Sequence, residues 1–407
     1  MSTVRNEEHR RVLLLSNGHG EDEIAAILGE QLEQVAPEFE LLGFPLVGNG
    51  RAYAVKGISV LMDAKPLPSG GFTRNNLGNF LRDVKAGLFR QIGAQVNMLR
   101  QLRGSVDLAV CAGDVYLLTL AGLFLKQPIF FLPTAKSDYI AAHLWIERRI
   151  MHRFCRQIFP RDAQTAGSLV RHGLPAEFVG NLMMDCLTLT NPAAFQEKAG
   201  WVILLLPGSR EEAYTNMRDL TAAVLALEKM AVGQETKERR RYFVALAGSL
   251  NFQELSKRLS PEGWMTVEPT AKEIEEGVRG HLDRVEAWGS LRITIVQGRF
   301  GDLLAACDLV IGLAGTGNEQ AAGMGKPVLT FPGRGAQFTR MFAERQKRLL
   351  GEAVCLLPRE PEVVAKTALA LLCDSAAQEK MGRCGRQRMG EPGGARKLAL
   401  RIKEYLS

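Results

Sequence analysis

Two Rossmann-like α/β domains, each a doubly wound parallel sheet covered by helices on both faces, are what the sequence predicts, on three observations. Short apolar runs alternate with helical patterns over residues 12–180 and again over 201–373. Each half opens on an apolar strand that meets a glycine turn, Ser16-Asn-Gly-His-Gly20 and Leu206-Pro-Gly-Ser-Arg210. At 407 residues the chain exceeds what a single ordinary core organises. The expected domains are residues 1–190 and 200–376, with a helical tail, 377–407, crossing back to the first.

In the first half, residues 12–16 form a strand, 17–20 a turn and 21–35 a helix, with further strands at 41–44 and 58–62. Residues 76–103 read as one long amphipathic helix or two shorter ones, because Leu77, Phe80, Leu81, Val84, Leu88, Phe89, Ile92, Val96 and Leu99 recur at three and four. Strands at 106–111 and 128–132 flank a helix at 115–125. Helices at 142–154 and 163–172 then alternate with extended segments at 157–159 and 176–180. The polar stretch 188–200 is the linker.

The pattern restarts with a strand at 201–206, a helix at 216–230, a charged loop at 234–241 and a strand at 242–247. Residues 252–290 are polar and irregular, and Glu273, Glu275, Glu276 and Arg279 mark a solvated helix there. After a strand at 292–297 comes the densest unit of the chain, 308–331. It holds a strand, the turn Ala314-Gly-Thr-Gly317, a helical stretch and a second strand. Helices at 337–350 and 361–373 and a basic tail, 378–405, complete the chain, which carries no tandem repeat.

A net charge of +7 favours anionic partners such as phosphates or acidic lipid head groups. Nucleic acid is disfavoured, since no recognition motif is present. The seven cysteines are scattered and form no C-x-x-C pair, which predicts reduced thiols with neither a disulfide frame nor a zinc site. Residues 1–11 do not read as a signal peptide, and no apolar stretch approaches the ~20 residues of a membrane span. A cytoplasmic chain is expected, with peripheral contact at the inner face of an anionic membrane left open.

Gly315, Thr316 and Gly317, followed by Asn318 and Glu319, place backbone N–H groups and a helix N-terminus around a common point, an arrangement that attracts phosphate. The plain alternative is a tight strand–helix connection. A nicotinamide fingerprint fails at its third glycine, both here and at Gly18-His-Gly20-Glu-Asp-Glu23, and no P-loop pattern exists. The second turn supplies Gly208, the Ser209 hydroxyl and the forked donors of Arg210, which suit a diphosphate. Its alternative is a surface arginine paired to Glu211 or Glu212. Two such turns at one sheet edge predict one ligand carrying a nucleoside and a diphosphate.

The run Leu205-Leu-Pro-Gly-Ser-Arg-Glu211, followed about a hundred residues later by Gly315-Thr316, Glu319-Gln320 and Gly325-Lys-Pro327, resembles lipid-A-disaccharide synthase and its relatives. Ser16-Asn-Gly-His-Gly-Glu-Asp22, Asp107-Leu-Ala-Val-Cys-Ala-Gly-Asp114, Phe159-Pro-Arg-Asp162 and Phe178-Val-Gly-Asn-Leu-Met-Met-Asp185 extend the likeness over nearly the whole chain. It is nearer to a synthase-related group than to the true synthase, and the enzyme that glycosylates lipid I is a more distant relative. The resemblance implies a GT-B glycosyltransferase, with two domains facing a cleft. It further implies a UDP-sugar as co-substrate rather than cofactor, a lipid-linked or membrane-presented acceptor, and inversion at the sugar C1. Two departures stand out. Gln320 falls where the relatives place a ribose-binding glutamate, with Glu319 one position early. The N-terminal turn has lost the small residues usual among the relatives and gained His19.

Such a transfer needs a base for the acceptor hydroxyl and positive charge for the leaving diphosphate. Candidates for the base are His19 and Asp114, each at the end of a first-domain strand. Asn17, Gly18, Gly20 and Glu21 form the acceptor-side turn. The alternatives are a hydrogen-bonding turn histidine, and helix-capping roles for Asp114, Glu21 and Asp22. With no Asp-x-Asp clamp in the sequence, the reading is metal-independent, and Arg210 and the helix after Gly317 carry the charge. The resemblance gives Gln337 a role at the sugar hydroxyls, against an ordinary helix start. Arg334 is either a second phosphate contact or a surface charge. Arg74, Arg82, Lys85, Arg90, Arg100 and Arg103 beside Phe80, Leu88, Phe89 and Ile92 read as a membrane-lying helix or as a core helix. Two rival functions are a hydrolysing UDP-N-acetylglucosamine 2-epimerase and a non-catalytic nucleotide-sugar-binding protein.

Overall fold

The computed structural model describes residues 10–62, 88–196, 200–232 and 239–407. The chain divides into two compact units, Met1–Cys186 with Glu391–Ser407, and Leu187–Gly390.

The first unit is built on six parallel strands: β1 (Arg11–Ser16), β2 (Glu40–Pro45), β3 (Ser59–Val60), β4 (Leu108–Gly113), β5 (Ile129–Pro133) and β6 (Cys155–Ile158), in the order β3-β2-β1-β4-β5-β6. The strands in the middle of the sheet are apolar throughout because both faces are covered. Side chains alternate, so Leu14, Val110 and Phe130 pack with Leu28 of the helix His19–Val35 and with Leu398 and Ile402 of the C-terminal helix Gly394–Leu406. Leu13, Leu15, Cys111 and Phe131 face the other way, toward Leu117 and Ala121 of the helix Val115–Phe124 and toward Leu99.

The C-terminal helix is hooked in place by one carboxylate. Asp185 accepts hydrogen bonds from the backbone N–H groups of Gly393 and Ala395, the latter at 2.8 Å. Gly180, at φ +121°, lets the two backbones meet, since a Cβ there would lie 2.9 Å from the Gly394 Cα. The tail expected over 377–407 thus divides. Its first helix, Ser375–Met389, belongs to the second unit, where Gly385 packs on the Ala322 backbone, and only the residues from Glu391 belong to the first.

Eight strands form the second sheet: β7 (Gly200–Leu206), β8 (Arg239–Leu246), β9 (Met265–Val267), β10 (Val278–Glu286), β11 (Gly289–Gln297), β12 (Leu309–Gly312), β13 (Val328–Thr330) and β14 (Val354–Leu356). Their order is β14-β13-β12-β7-β8-β11-β10-β9, parallel except that β10 runs antiparallel to both β11 and β9. The nine-residue β10 replaces part of the irregular segment expected there, and the solvated helix shortens to Ala271–Glu275, with Arg279 on the strand instead. Val278 and Leu282 are the buried large apolar residues of β10, and a register shift between Val278 and Gly280 breaks the alternation, so no period-2 signal survives.

Of the long amphipathic stretch 76–103, the structure describes the helix Leu88–Gln101, and residues 76–87 lie outside the described residues. Leu99 and Gln95 are buried, and Gln95 donates to the Leu46 carbonyl at 2.9 Å, so this part serves as a core helix. Among the described residues, no helix is long and apolar enough to cross a membrane.

Replacing Asp185 with Ala removes two hydrogen bonds at the start of the C-terminal helix. We expect a loss of about 1–2 kcal/mol, with hydrogen exchange accelerated first in residues 394–406. Unchanged exchange there contradicts the hook.

Candidate active site

The side on which strands are added to the sheet reverses between β1 and β4 in the first sheet and between β7 and β12 in the second. At such a reversal the connections leave toward opposite sides and open a crevice beyond the strand C-termini. Both base candidates sit beside the first reversal, and both glycine turns sit beside the second.

In the second unit, Ile311 and Gly312 lie opposite Leu205 and Leu206, and the Leu313 N–H donates to the Leu206 carbonyl at 2.7 Å. The turns that follow therefore start side by side. They line a cavity of about 560 Å³ with Gly208, Ser209 and Arg210 on one side and Gly315, Thr316 and Gly317 on the other, closed by Gln337, Phe338 and Phe342. That volume suits a nucleotide-sized ligand. Gly208 adopts φ +106°, a conformation in which a side chain is strained. The helix Thr316–Gly323 begins at Gly315 with no side-chain cap, which leaves its first-turn N–H donors for an anion.

Two buried amides brace this turn. The Asn318 Nδ2 donates to the Gly312 carbonyl (3.0 Å) and to the Gln346 Oε1 (2.9 Å), and the Gln346 Nε2 donates to the carbonyls of Ala314 (3.1 Å) and Gly315 (3.0 Å). Asn318 is thus a brace rather than a cavity-lining group. Gln320 is buried and Glu319 half-exposed, and neither lines the cavity. Asn216, which sequence reasoning did not single out, lines it and donates to the Pro207 carbonyl at 2.9 Å, fixing the opposite turn.

Arg210 is exposed and donates from Nη1 to the Gln337 Oε1 at 2.8 Å, and among the described residues the rest of its N–H fork is unengaged. The glutamates beside it are occupied elsewhere. Glu211 accepts from Arg258 at 2.6 Å, and Glu212 accepts the Gln337 backbone N–H at 3.0 Å. Gln337 lies in the loop before the helix Arg340–Leu350, which is capped by Thr339. Arg334 lies away from the cavity. Its guanidinium pairs with Asp219 at 2.8 Å.

In the first unit, Asp114 caps the helix Val115–Phe124. Its Oδ1 accepts from the N–H groups of Tyr116 (3.0 Å) and Leu117 (3.2 Å) and from the Asn17 Nδ2 (2.8 Å), a bond that spans the reversal. The helix His19–Val35 starts at Gly18 without a side-chain cap, with Gly20 exposed in its first turn. Glu21 accepts from the Thr134 hydroxyl at 3.1 Å.

Asp22 is the group the sequence underrated, because a capping role explained it. It is buried. Its Oδ1 accepts from the Ser16 hydroxyl at 2.6 Å, and that hydroxyl also meets the Tyr53 hydroxyl at 2.6 Å. Its Oδ2 lies 4.0 Å from the His19 Nδ1, and the His19 side chain is 74% exposed. Burial pushes the Asp22 carboxyl up to about 6, against the lowering by the Ser16 bond and by His19. The i,i+3 spacing of His19 and Asp22 was the available signal.

No protein-family model matches the chain. It is 24% identical over 331 residues to the lipid-A-disaccharide synthase of Solibacter usitatus, covering 78% of this chain and 73% of that protein. Among solved structures it resembles the calicheamicin glycosyltransferase, with a TM-score of 0.61 at 15% identity and 98% of each chain covered. It also resembles a putative UDP-N-acetylglucosamine 2-epimerase from Listeria monocytogenes (0.60, 16% identity, 97% of this chain and 96% of that one). A third is the UDP-GlcNAc 2-epimerase from Neisseria meningitidis bound to UDP-GlcNAc (0.58, 15%, 97% and 100%). With the two sheet orders, these likenesses establish a GT-B fold of two Rossmann-like domains.

Asp22 gives a signed pH dependence. A carboxyl raised from 3.8 to about 6 holds its proton in the folded chain after the unfolded chain has lost it, so its contribution falls as pH rises from about 4 to 6. The loss is on the order of 3 kcal/mol at most. Asp22→Asn should therefore gain melting temperature relative to the parent between pH 4 and pH 7. A difference independent of pH contradicts this burial.

Proposed function

We propose that this chain is a glycosyltransferase that moves a sugar from a UDP-sugar to a lipid-linked or membrane-presented acceptor, with inversion and without a metal or cofactor. The observation that carries the reading is the convergence of the turns Gly208-Ser-Arg210 and Gly315-Thr-Gly317 on one cavity. In this reading Arg210 leaves Gln337 for the diphosphate, the helix N-terminus at Gly315 shares its charge, and Gln337 turns to the sugar. Glu319 is the better placed of the two ribose candidates, since Gln320 is buried.

His19 is the proposed base. Its ring is exposed, whereas the Asp114 Oδ1 is committed to a helix cap. As the acceptor oxygen bonds to C1, its proton passes to the imidazole, the C1–O bond breaks and UDP leaves with the electron pair. The Asp22 carboxylate then faces the imidazolium and stabilises it.

The epimerases of the same fold favour a second reading, hydrolytic epimerisation of UDP-N-acetylglucosamine. Release of UDP and N-acetylmannosamine without an acceptor identifies it. Binding with no turnover toward any donor and lipid acceptor identifies a non-catalytic binder.

A thermal-shift screen of UDP-, GDP- and dTDP-sugars tests the donor. A preferred donor at ~100 Kd adds ~2.7 kcal/mol, and no shift with any of them refutes the reading. His19→Ala should lower kcat by about 10²–10⁴ while leaving UDP binding intact. Asp114→Asn should mainly cost stability. Undiminished transfer after replacing both removes the base assignment.

A further inference from the structure

We propose that the N-terminal end of the helix Trp145–Phe154 is a docking surface for an anionic lipid bilayer. Three consecutive large apolar residues are displayed to solvent there, Leu144 (58% exposed), Trp145 (69%) and Ile146 (44%). Scattered exposed apolar residues need no explanation, but three in a row at one helix end do.

The fold holds them outward. Glu147 is buried and accepts hydrogen bonds from the Leu144 N–H (2.9 Å) and the Lys136 ammonium (2.6 Å), with the buried His143 ring 3.5 Å away. That arrangement pins the first turn. Met151 is buried and Phe154 packs against Gly122, so one face of the helix is fixed inward. At about 100° per residue, Trp145, Ile146, Arg149, His152 and Arg153 share the opposite face, and Trp145, Ile146 and His152 are exposed there. Arg156 follows on β6, also exposed. Glu147 is the one acidic side chain of the helix Trp145–Phe154, and it is buried and paired, so the charge the helix itself offers to solvent is basic.

Charge complementarity selects the occupant. A tryptophan beside leucine and isoleucine suits the head-group boundary of a bilayer, and a basic collar suits anionic lipid. A second copy of this chain would have to place the same arginines against each other. The described helix Leu88–Gln101, with Gln95 and Leu99 buried, is not part of this surface. The surface serves the lipid-acceptor reading proposed above, but its test does not use that activity.

The test is flotation of the full chain with vesicles of phosphatidylcholine alone and with about 30% phosphatidylglycerol, at low and high salt, in the parent, the triple variant L144S/W145S/I146S and the pair R149Q/R153Q. The parent should float with anionic vesicles only and less at high salt. The triple variant should lose binding, and each arginine should contribute about fivefold. Melting curves verify that the variants fold. Brominated lipid should quench part of the tryptophan fluorescence in the parent and none in the triple variant, which lacks Trp145. Equal binding by the triple variant, or no preference for anionic vesicles, overturns the proposal. Loss of a self-associated species in the triple variant without vesicle binding in the parent assigns the surface to a second copy and equally overturns it.

Discussion

The parallel pairing of β7 with β12 is the constraint on which the candidate site depends. Neither strand carries a ligand group. Their register, Leu309 to Gly312 beside Ile203 to Leu206, brings two turns separated by about a hundred residues to a common starting line. Because the sequence order reverses there, the connections diverge and a cavity opens instead of a packed seam. The same reversal between β1 and β4 in the first unit sets Asn17 against Asp114 and leaves His19 exposed at the edge.

Backbone placement alone would leave the turns loose, and buried polar side chains hold them. Asn318 and Gln346 tie the carbonyls of Gly312, Ala314 and Gly315 together, while Asn216 holds Pro207. Buried amides of this kind are costly unless hydrogen-bonded, so their pairing fixes a particular turn geometry. Arg210 is instead exposed and engaged through one hydrogen bond among the described residues, which suits a group that exchanges partners when an anion arrives. The contrast separates bracing residues from the exposed Arg210 within one site. Arg334, salt-bridged to Asp219, falls on the bracing side.

The apolar strands were legible because both sheet faces are covered, so each central strand reads as a continuous hydrophobic run. The glycine turns were legible because a positive φ at Gly208 restricts the residue type there. What escaped was set by partners distant in sequence. Asp22 resembles any acidic residue in a first helical turn until Ser16 and Tyr53 are found around it. Gln346 belongs to an ordinary amphipathic helix, and nothing local marks it as the partner of Asn318. β10 hides behind its charged residues, since much of its stability comes from cross-strand pairing with β11. The tail reads as one piece because its composition is uniform, whereas Asp185 and Gly180 decide which helix returns to the first unit.

In the proposed reading both turns of the second unit bind one diphosphate. A crystal structure of the chain with UDP tests it most directly. Diphosphate oxygens should lie within hydrogen-bond distance of the Arg210 guanidinium and of the N–H groups at the start of the helix Thr316–Gly323, with the Arg210–Gln337 bond broken. A nucleotide bound elsewhere, or one whose phosphates point away from both turns while Arg210 keeps Gln337, contradicts it.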